Sequence, residues 1–116
     1  MKKLSEHQRQ FSRMVGLLLV YLPILSEREG KKFEVAIADA QSKPEYGVHS
    51  IKPLSFHFKK LAIDLDLFID GVYQETSEAH KPLGDFWKFL GGTWGGDFIK
   101  KDGNHYSYLE GFRLHD

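Results

Sequence analysis

Residues 62–68, Ala-Ile-Asp-Leu-Asp-Leu-Phe, alternate with a strict period of two, so an extended chain places Ile63, Leu65 and Leu67 on one face and Ala62, Asp64 and Asp66 on the other. The Asp70-Gly71 pair that follows is a hairpin signal, so this strand turns back and belongs to an antiparallel sheet. Such a sheet packs one face on a core and leaves the other open. Here the open face carries two carboxylates.

The flanking sequence supplies helices and further short strands. Phe11, Met14, Val15, Leu18 and Leu22 recur at helical intervals up to Pro23, and Ser5 with Gln8 has capping-box spacing. Between residues 33 and 39, Phe33, Val35 and Ile37 alternate with Glu34, Ala36 and Ala38, the pattern of a half-buried strand. Residues 41–53, with two prolines and a glycine, read as a loop. Pro82 suits the first turn of a helix carrying Phe86, Trp87, Phe89 and Leu90, and Gly91-Gly92 can end it. A turn at 101–104 precedes a last strand, 105–109. The expected class is α+β, a small antiparallel sheet with flanking helices.

At 116 residues the chain can bury one modest core and no second, so residues 1–116 form a single domain, with a helical segment at 1–30 and the sheet core at 33–109. Lys plus Arg and Asp plus Glu balance at 16 each, which leaves no global field to draw in nucleic acid, and a monomer is expected. With no cysteine, any metal must be held by nitrogen and oxygen donors, and six histidines supply the nitrogen. The apolar run 14–25, although preceded by Lys2 and Lys3, is shorter than the roughly 20 residues that span a bilayer. No small-residue cleavage site follows it. It reads as a buried helix in a protein made and kept in the cytoplasm, without membrane insertion.

Four residues carry the chemistry: His57 and Asp64, then Asp102 and His105 in Asp-Gly-Asn-His. Two imidazoles and a carboxylate make a zinc tripod with a position left for water, and a second carboxylate can take that water's proton. On one continuous strand His57 and Asp64 would lie on opposite faces, so His57 belongs to a segment folded back to meet the Asp64 strand. Taken singly, each residue has a structural reading; Asp102 beside Gly103 is a common turn pair. Together they favour a metal site. Phe86, Trp87 and Phe89 read as core, Trp94 among its glycines as a cleft residue, and His7, His49, His80 and His115 as surface residues. The lysine pairs at 31–32, 59–60 and 100–101 read as a soluble surface.

The order Ser-x-His57-x(6)-Asp64, then Trp94-Gly-Gly and Asp102-x-x-His105-aromatic, resembles the metallopeptidase family that includes D-alanyl-D-alanine carboxypeptidases and phage L-alanyl-D-glutamate endolysins, whose fold is shared with the Hedgehog signalling domain. The similarity runs from about Phe33 to Tyr108. It is especially like the small phage and prophage peptidases in Leu61-Ala-Ile-Asp-Leu-Asp-Leu-Phe, Pro82-Leu-Gly-Asp-Phe-Trp, Leu90-Gly-Gly-Thr-Trp-Gly-Gly and Asp102-Gly-Asn-His. The resemblance implies His57, Asp64 and His105 as ligands of one zinc ion and Asp102 as general base. It makes Ser55 a site-lining or supporting residue, and Asp66 is a candidate partner for a ligating histidine. It also implies a peptidoglycan stem peptide as substrate. The enzyme would be cytoplasmic in the producing bacterium and would act on the wall after release.

Departures from the pattern bear on specificity. Lys60 stands where relatives usually carry glycine. Gln41-Ser42 stands where they often carry Tyr-Arg, so either Lys43 alongside substitutes as a point charge for a substrate carboxylate, or that carboxylate is read differently, or activity is impaired. An endopeptidase, a carboxypeptidase or dipeptidase releasing D-alanine, and a zinc-stabilised wall-binding module without catalysis all remain compatible with the sequence.

Overall fold

The computed structural model describes residues 3–39 and 61–108. The loop expected at 41–53, together with Lys43, Ser55, His57 and Lys60, lies outside the described residues, as do His49, Leu109 and His115.

Helix α1 spans Leu4–Glu29, longer than its sequence signals suggest. Its first turn is closed by the Glu6 carboxylate, which accepts the Lys3 backbone N–H at 3.0 Å, so the Ser5-Gln8 pair sits inside the helix and not at its cap. The helix runs through Pro23 instead of stopping there. Pro23 is exposed, where water can satisfy the carbonyl that its missing N–H leaves behind. The last turn closes on Gly30, whose φ of 69° lets its N–H reach the Ser26 carbonyl at 2.9 Å. The Ser26 hydroxyl then accepts the Phe33 N–H at 2.8 Å and ties the helix end to the first strand.

Strand β1, Phe33–Asp39, pairs antiparallel with β2, Ala62–Ile69, with Phe33 opposite Ile69 and Ile37 opposite Leu65. Asp70 at φ 52° and Gly71 at φ 82° turn the chain tightly into β3, Val72–Tyr73. The Asp70 carboxylate accepts the Lys32 N–H at 2.9 Å and anchors that hairpin to the start of β1. Helix α2, Lys81–Phe89, carries Pro82 in its first turn and leads to β4, Thr93–Trp94. β5, His105–Ser107, closes the sheet in the order β1-β2-β5-β4, with β3 alongside β2. The architecture is α+β with a small antiparallel sheet, as the sequence pattern requires.

The core lies between the Ile63, Leu65 and Leu67 face of β2, α1 and α2. Phe11, Met14, Leu18, Leu22 and Leu25 of α1 meet Leu83 and Trp87 of α2, with Trp94 and Tyr106 from the sheet. Trp87 meets Phe11 and Tyr106 edge-on and donates its indole N–H to the Ser107 carbonyl at 2.8 Å. Phe89 departs from the expected core set and is 82% exposed.

Two histidines read as surface residues are buried. His7 lies four residues before Phe11 on the inward stripe of α1, and its Nδ1 hydrogen-bonds the Tyr108 hydroxyl at 2.9 Å. His80, fully buried ahead of α2, hydrogen-bonds the Tyr106 hydroxyl at 2.7 Å through Nδ1. A buried imidazole needs partners for its polar edge, and each tyrosine satisfies one ring nitrogen; the Nε2 of His80 is buried without a hydrogen-bond partner among the described residues. Burial lowers the His80 pKa from 6.5 to about 4, against the opposing pull of the Asp66 charge, and burial also raises the Tyr106 hydroxyl above its usual range.

Between those two pH values the unfolded chain protonates His80 and the folded chain does not. Stability contributed by this site is therefore complete above pH 6.5 and falls as pH drops toward 4, by about 3 kcal/mol at most. Urea unfolding of wild type and His80→Asn across that range checks this: the variant should show the shallower pH dependence.

Candidate metal centre

β2 and β5 bring two of the sequence-predicted residues together, Asp64 and His105. Their register sets Asp64 opposite His105, Ile63 opposite Tyr106 and Ala62 opposite Ser107. Opposed residues share a face, so the Ile63 and Tyr106 row points into the core while Asp64 and His105 stand side by side on the other face. The His105 Nδ1 lies 3.7 Å from the Asp64 Oδ1, beyond hydrogen-bond length. Two donors bound to one tetrahedral ion at roughly 2.0–2.1 Å stand about 3.4 Å apart, so the pair needs only a small side-chain adjustment to share one. The side chains are 13% and 30% exposed for His105 and Asp64, on a backbone fixed by the sheet.

Asp102 and His105 are joined by a turn held from several directions. The Asp102 N–H donates to the Gly95 carbonyl at 2.9 Å, and the His105 N–H donates back to the Asp102 carbonyl at 3.1 Å. The Gly103 N–H reaches the Ser77 hydroxyl at 2.9 Å, while the Gly103 carbonyl accepts the Trp94 indole N–H at 2.9 Å. Asn104 donates from its side-chain amide to the Leu65 carbonyl at 2.9 Å and to the Asp66 carboxylate at 3.2 Å, and its own carbonyl accepts the Leu65 N–H. The Phe98 ring packs against the His105 imidazole with centroids 5.5 Å apart. The turn is thus tied to β2 through Leu65, to Trp94 and Gly95, and to Ser77. The Asp102 side chain projects exposed from a fixed base.

Two candidate supports take specific places. Asp66 grips the Asn104 amide at 3.2 Å, next to the His105 backbone. Trp94, read from sequence as a cleft residue, is 5% exposed and packs beneath the turn that it hydrogen-bonds. The Gly-Asn turn before His105 is legible in the sequence, but sequence reasoning missed Ser77 and Gly95 as positioning residues and the side-chain bonds of Asn104. Gly95 has a legible signal in Trp-Gly-Gly: a Cβ there would collide with the Asp102 carbonyl oxygen and the His105 Cβ. Ser77 has none, since its partner lies far along the chain.

Among the described residues no group of three or more His, Asp or Glu side chains gathers as a metal site. The described part of the constellation is the Asp64 and His105 pair beside the Asp102 turn. Its donor chemistry, one imidazole nitrogen and one carboxylate oxygen without sulfur, fits zinc ligation, with His57 outside the described residues.

Residues 49–108, just over half of the chain, match the profile of a peptidase family, which places the chain among peptidases of peptidoglycan peptides. The family is described as D-alanyl-D-alanine carboxypeptidase, and the chain belongs to it. The matched segment takes in Ser55, His57, Asp64, Asp66, Trp94, Asp102 and His105; Lys43, α1 and β1 precede it. No curated protein matches the chain.

Gly95→Ala tests how firmly the turn is held. Because the obstructing atoms are backbone and Cβ of a pinned segment, the variant should lose about 1–3 kcal/mol of stability in urea unfolding, as overpacked sites do. An unchanged midpoint would show that the turn can yield.

Proposed function

We propose that the protein is a zinc-dependent peptidase that hydrolyses peptidoglycan stem peptides as an endolysin-type endopeptidase of phage or prophage origin. The observation that carries this reading is the cross-strand pair of Asp64 and His105 at 3.7 Å beside a pinned Asp102 turn, within a segment matching a peptidase family. His57, Asp64 and His105 would hold one zinc ion. When bound, zinc polarises the scissile carbonyl and lowers the pKa of a water to near neutrality. The chain's own residues supply the rest.

Asp102 takes the proton of the attacking water as its oxygen bonds to the carbonyl carbon, and delivers that proton to the amide nitrogen as the C–N bond breaks. Its exposed side chain on an anchored backbone suits a group that must meet first the water and then the leaving amine. Asp66 and Trp94 act through the turn: one holds Asn104, the other the Gly103 carbonyl. Ser55 would line the site, and Lys43 would offer an ammonium to a substrate carboxylate. The enzyme would be made in the bacterial cytoplasm and act on the wall after release.

The family's description favours one second reading, a carboxypeptidase that releases terminal D-alanine. The two differ in the bond cut, not in the chemistry at Asp64, Asp102 and His105.

Purified protein should contain one equivalent of zinc by elemental analysis, and His105→Ala should lose it. Asp102→Asn should keep the metal while hydrolysis of purified sacculi falls by roughly 10²- to 10⁴-fold, the usual contribution of a general base. Mass spectrometry of the digest separates the readings, since free D-alanine marks the carboxypeptidase and new internal amino termini the endopeptidase. Wild type that binds zinc but releases neither is a wall-binding module.

A further inference from the structure

Helix α1 is apolar on more than its buried side. Met14, Leu18, Leu22 and Leu25 face the core, yet Leu17 is 45%, Val20 64% and Ile24 57% exposed. These three follow at intervals of three and four residues and form one outward stripe, with Gly16 beside it and nothing within 4 Å of where its Cβ would be. A helix that is apolar on both faces is usually covered on both.

The charges around the stripe indicate what covers it. Arg13 lies one turn before Leu17 on the same face, and Glu27 one turn after Ile24. Among the described residues neither is in an ion pair. Neighbouring charges have partners: Glu6 accepts the Lys3 N–H, Arg9 donates to the Ser5 carbonyl, and Arg28 meets the Tyr21 hydroxyl and Glu29. The stripe is thus positive at one end and negative at the other, with Val20 near its middle. An identical stripe laid antiparallel sets Arg13 against Glu27 of the partner subunit, twice, across a Leu17, Val20 and Ile24 seam. A parallel arrangement would oppose like charges. A lipid surface would favour basic residues at both margins, and Glu27 stands at one of them. Gly16 allows the close axial approach of nearly antiparallel helices.

We propose that α1 is a self-association surface, pairing antiparallel with a second copy of this chain through Leu17, Val20 and Ile24 and the reciprocal Arg13 and Glu27 contacts. This differs from the monomer expected above. The surface is independent of the peptidase reading: α1 lies before the family-matched segment, and it packs on the core face of the sheet, opposite Asp64 and His105. One helix face buries less than the roughly 1,200 Å² of stable interfaces, so the dimer is weak and forms at micromolar or higher concentration.

Sedimentation equilibrium of the full chain from micromolar to millimolar concentration tests this, with circular dichroism confirming the fold of each variant. Wild type should shift reversibly from monomer to dimer, and Val20→Glu, a change at an exposed site, should weaken the dimer at least about tenfold. Arg13→Glu and Glu27→Arg should each weaken it, and the double reversal should restore it to within about threefold of wild type, because only an antiparallel self-pair re-forms both contacts. A chain monomeric throughout, a double reversal no better than the singles, or a monomer that instead binds phosphatidylglycerol vesicles through the same stripe would each overturn the proposal.

Discussion

The pairing of β2 with β5 is the contact on which the rest of the molecule depends. It joins two segments some forty residues apart in sequence and fixes Asp64 opposite His105. Three rungs of backbone hydrogen bonding would be weak alone. They persist because the inward side of the same rungs is deeply packed: Tyr106 is fully buried, meets Trp87 edge-on and hydrogen-bonds His80, and Ser107 accepts the Trp87 indole N–H. Core packing on one face thus determines a separation between two polar side chains on the other.

That division explains the placement of the buried polar groups. The two tyrosines that follow His105, Tyr106 and Tyr108, each end on a histidine from a different element, His80 before α2 and His7 on α1. These bonds fasten the last strand to both flanking helical segments without using the functional face. A hydroxyl-to-imidazole contact in a dry interior is costly to break, since either partner left alone pays its full desolvation. The strand bearing His105 is therefore restrained in register as well as in position. A one-residue slip would exchange Tyr106 for His105 in the core.

Much of this was legible from sequence because it rests on local periodicity. The alternation at 62–68 dictated the strand and which face holds Asp64 and Asp66, and Asp70-Gly71 dictated its turn. Pro82 and the aromatics after it placed α2. What local patterns could not show were contacts whose partners lie far apart. His7 sits on the helical stripe of Phe11 and Met14, so its burial follows from spacing, although a histidine by type suggests a surface residue. Pro23 signals a stop because the rule concerns the backbone, whereas packing of Leu22 and Leu25 carries the helix past it. At the site, the pairing of Asp64 with His105 needed the tertiary register, and Ser77 at the Gly103 N–H had no local sign. His57 falls outside the described residues, so the sequence pattern and the family match remain its support.

The two helices contribute unequally to the site. α2 and the turn before it supply Trp87, His80 and, through Ser77, a direct hold on the Asp102 segment, and they fall within the family-matched stretch. α1 supplies bulk: its inner stripe seals the core under β2, and it reaches the last strand's extension through the His7 contact to Tyr108. An element that shields a core without touching the functional face is free to vary outward, since any side chain there is neutral to the geometry of Asp64 and His105. The apolar stripe on that outward face, bracketed by Arg13 and Glu27, is therefore not explained by the demands of the site. It is explained by a contact of its own.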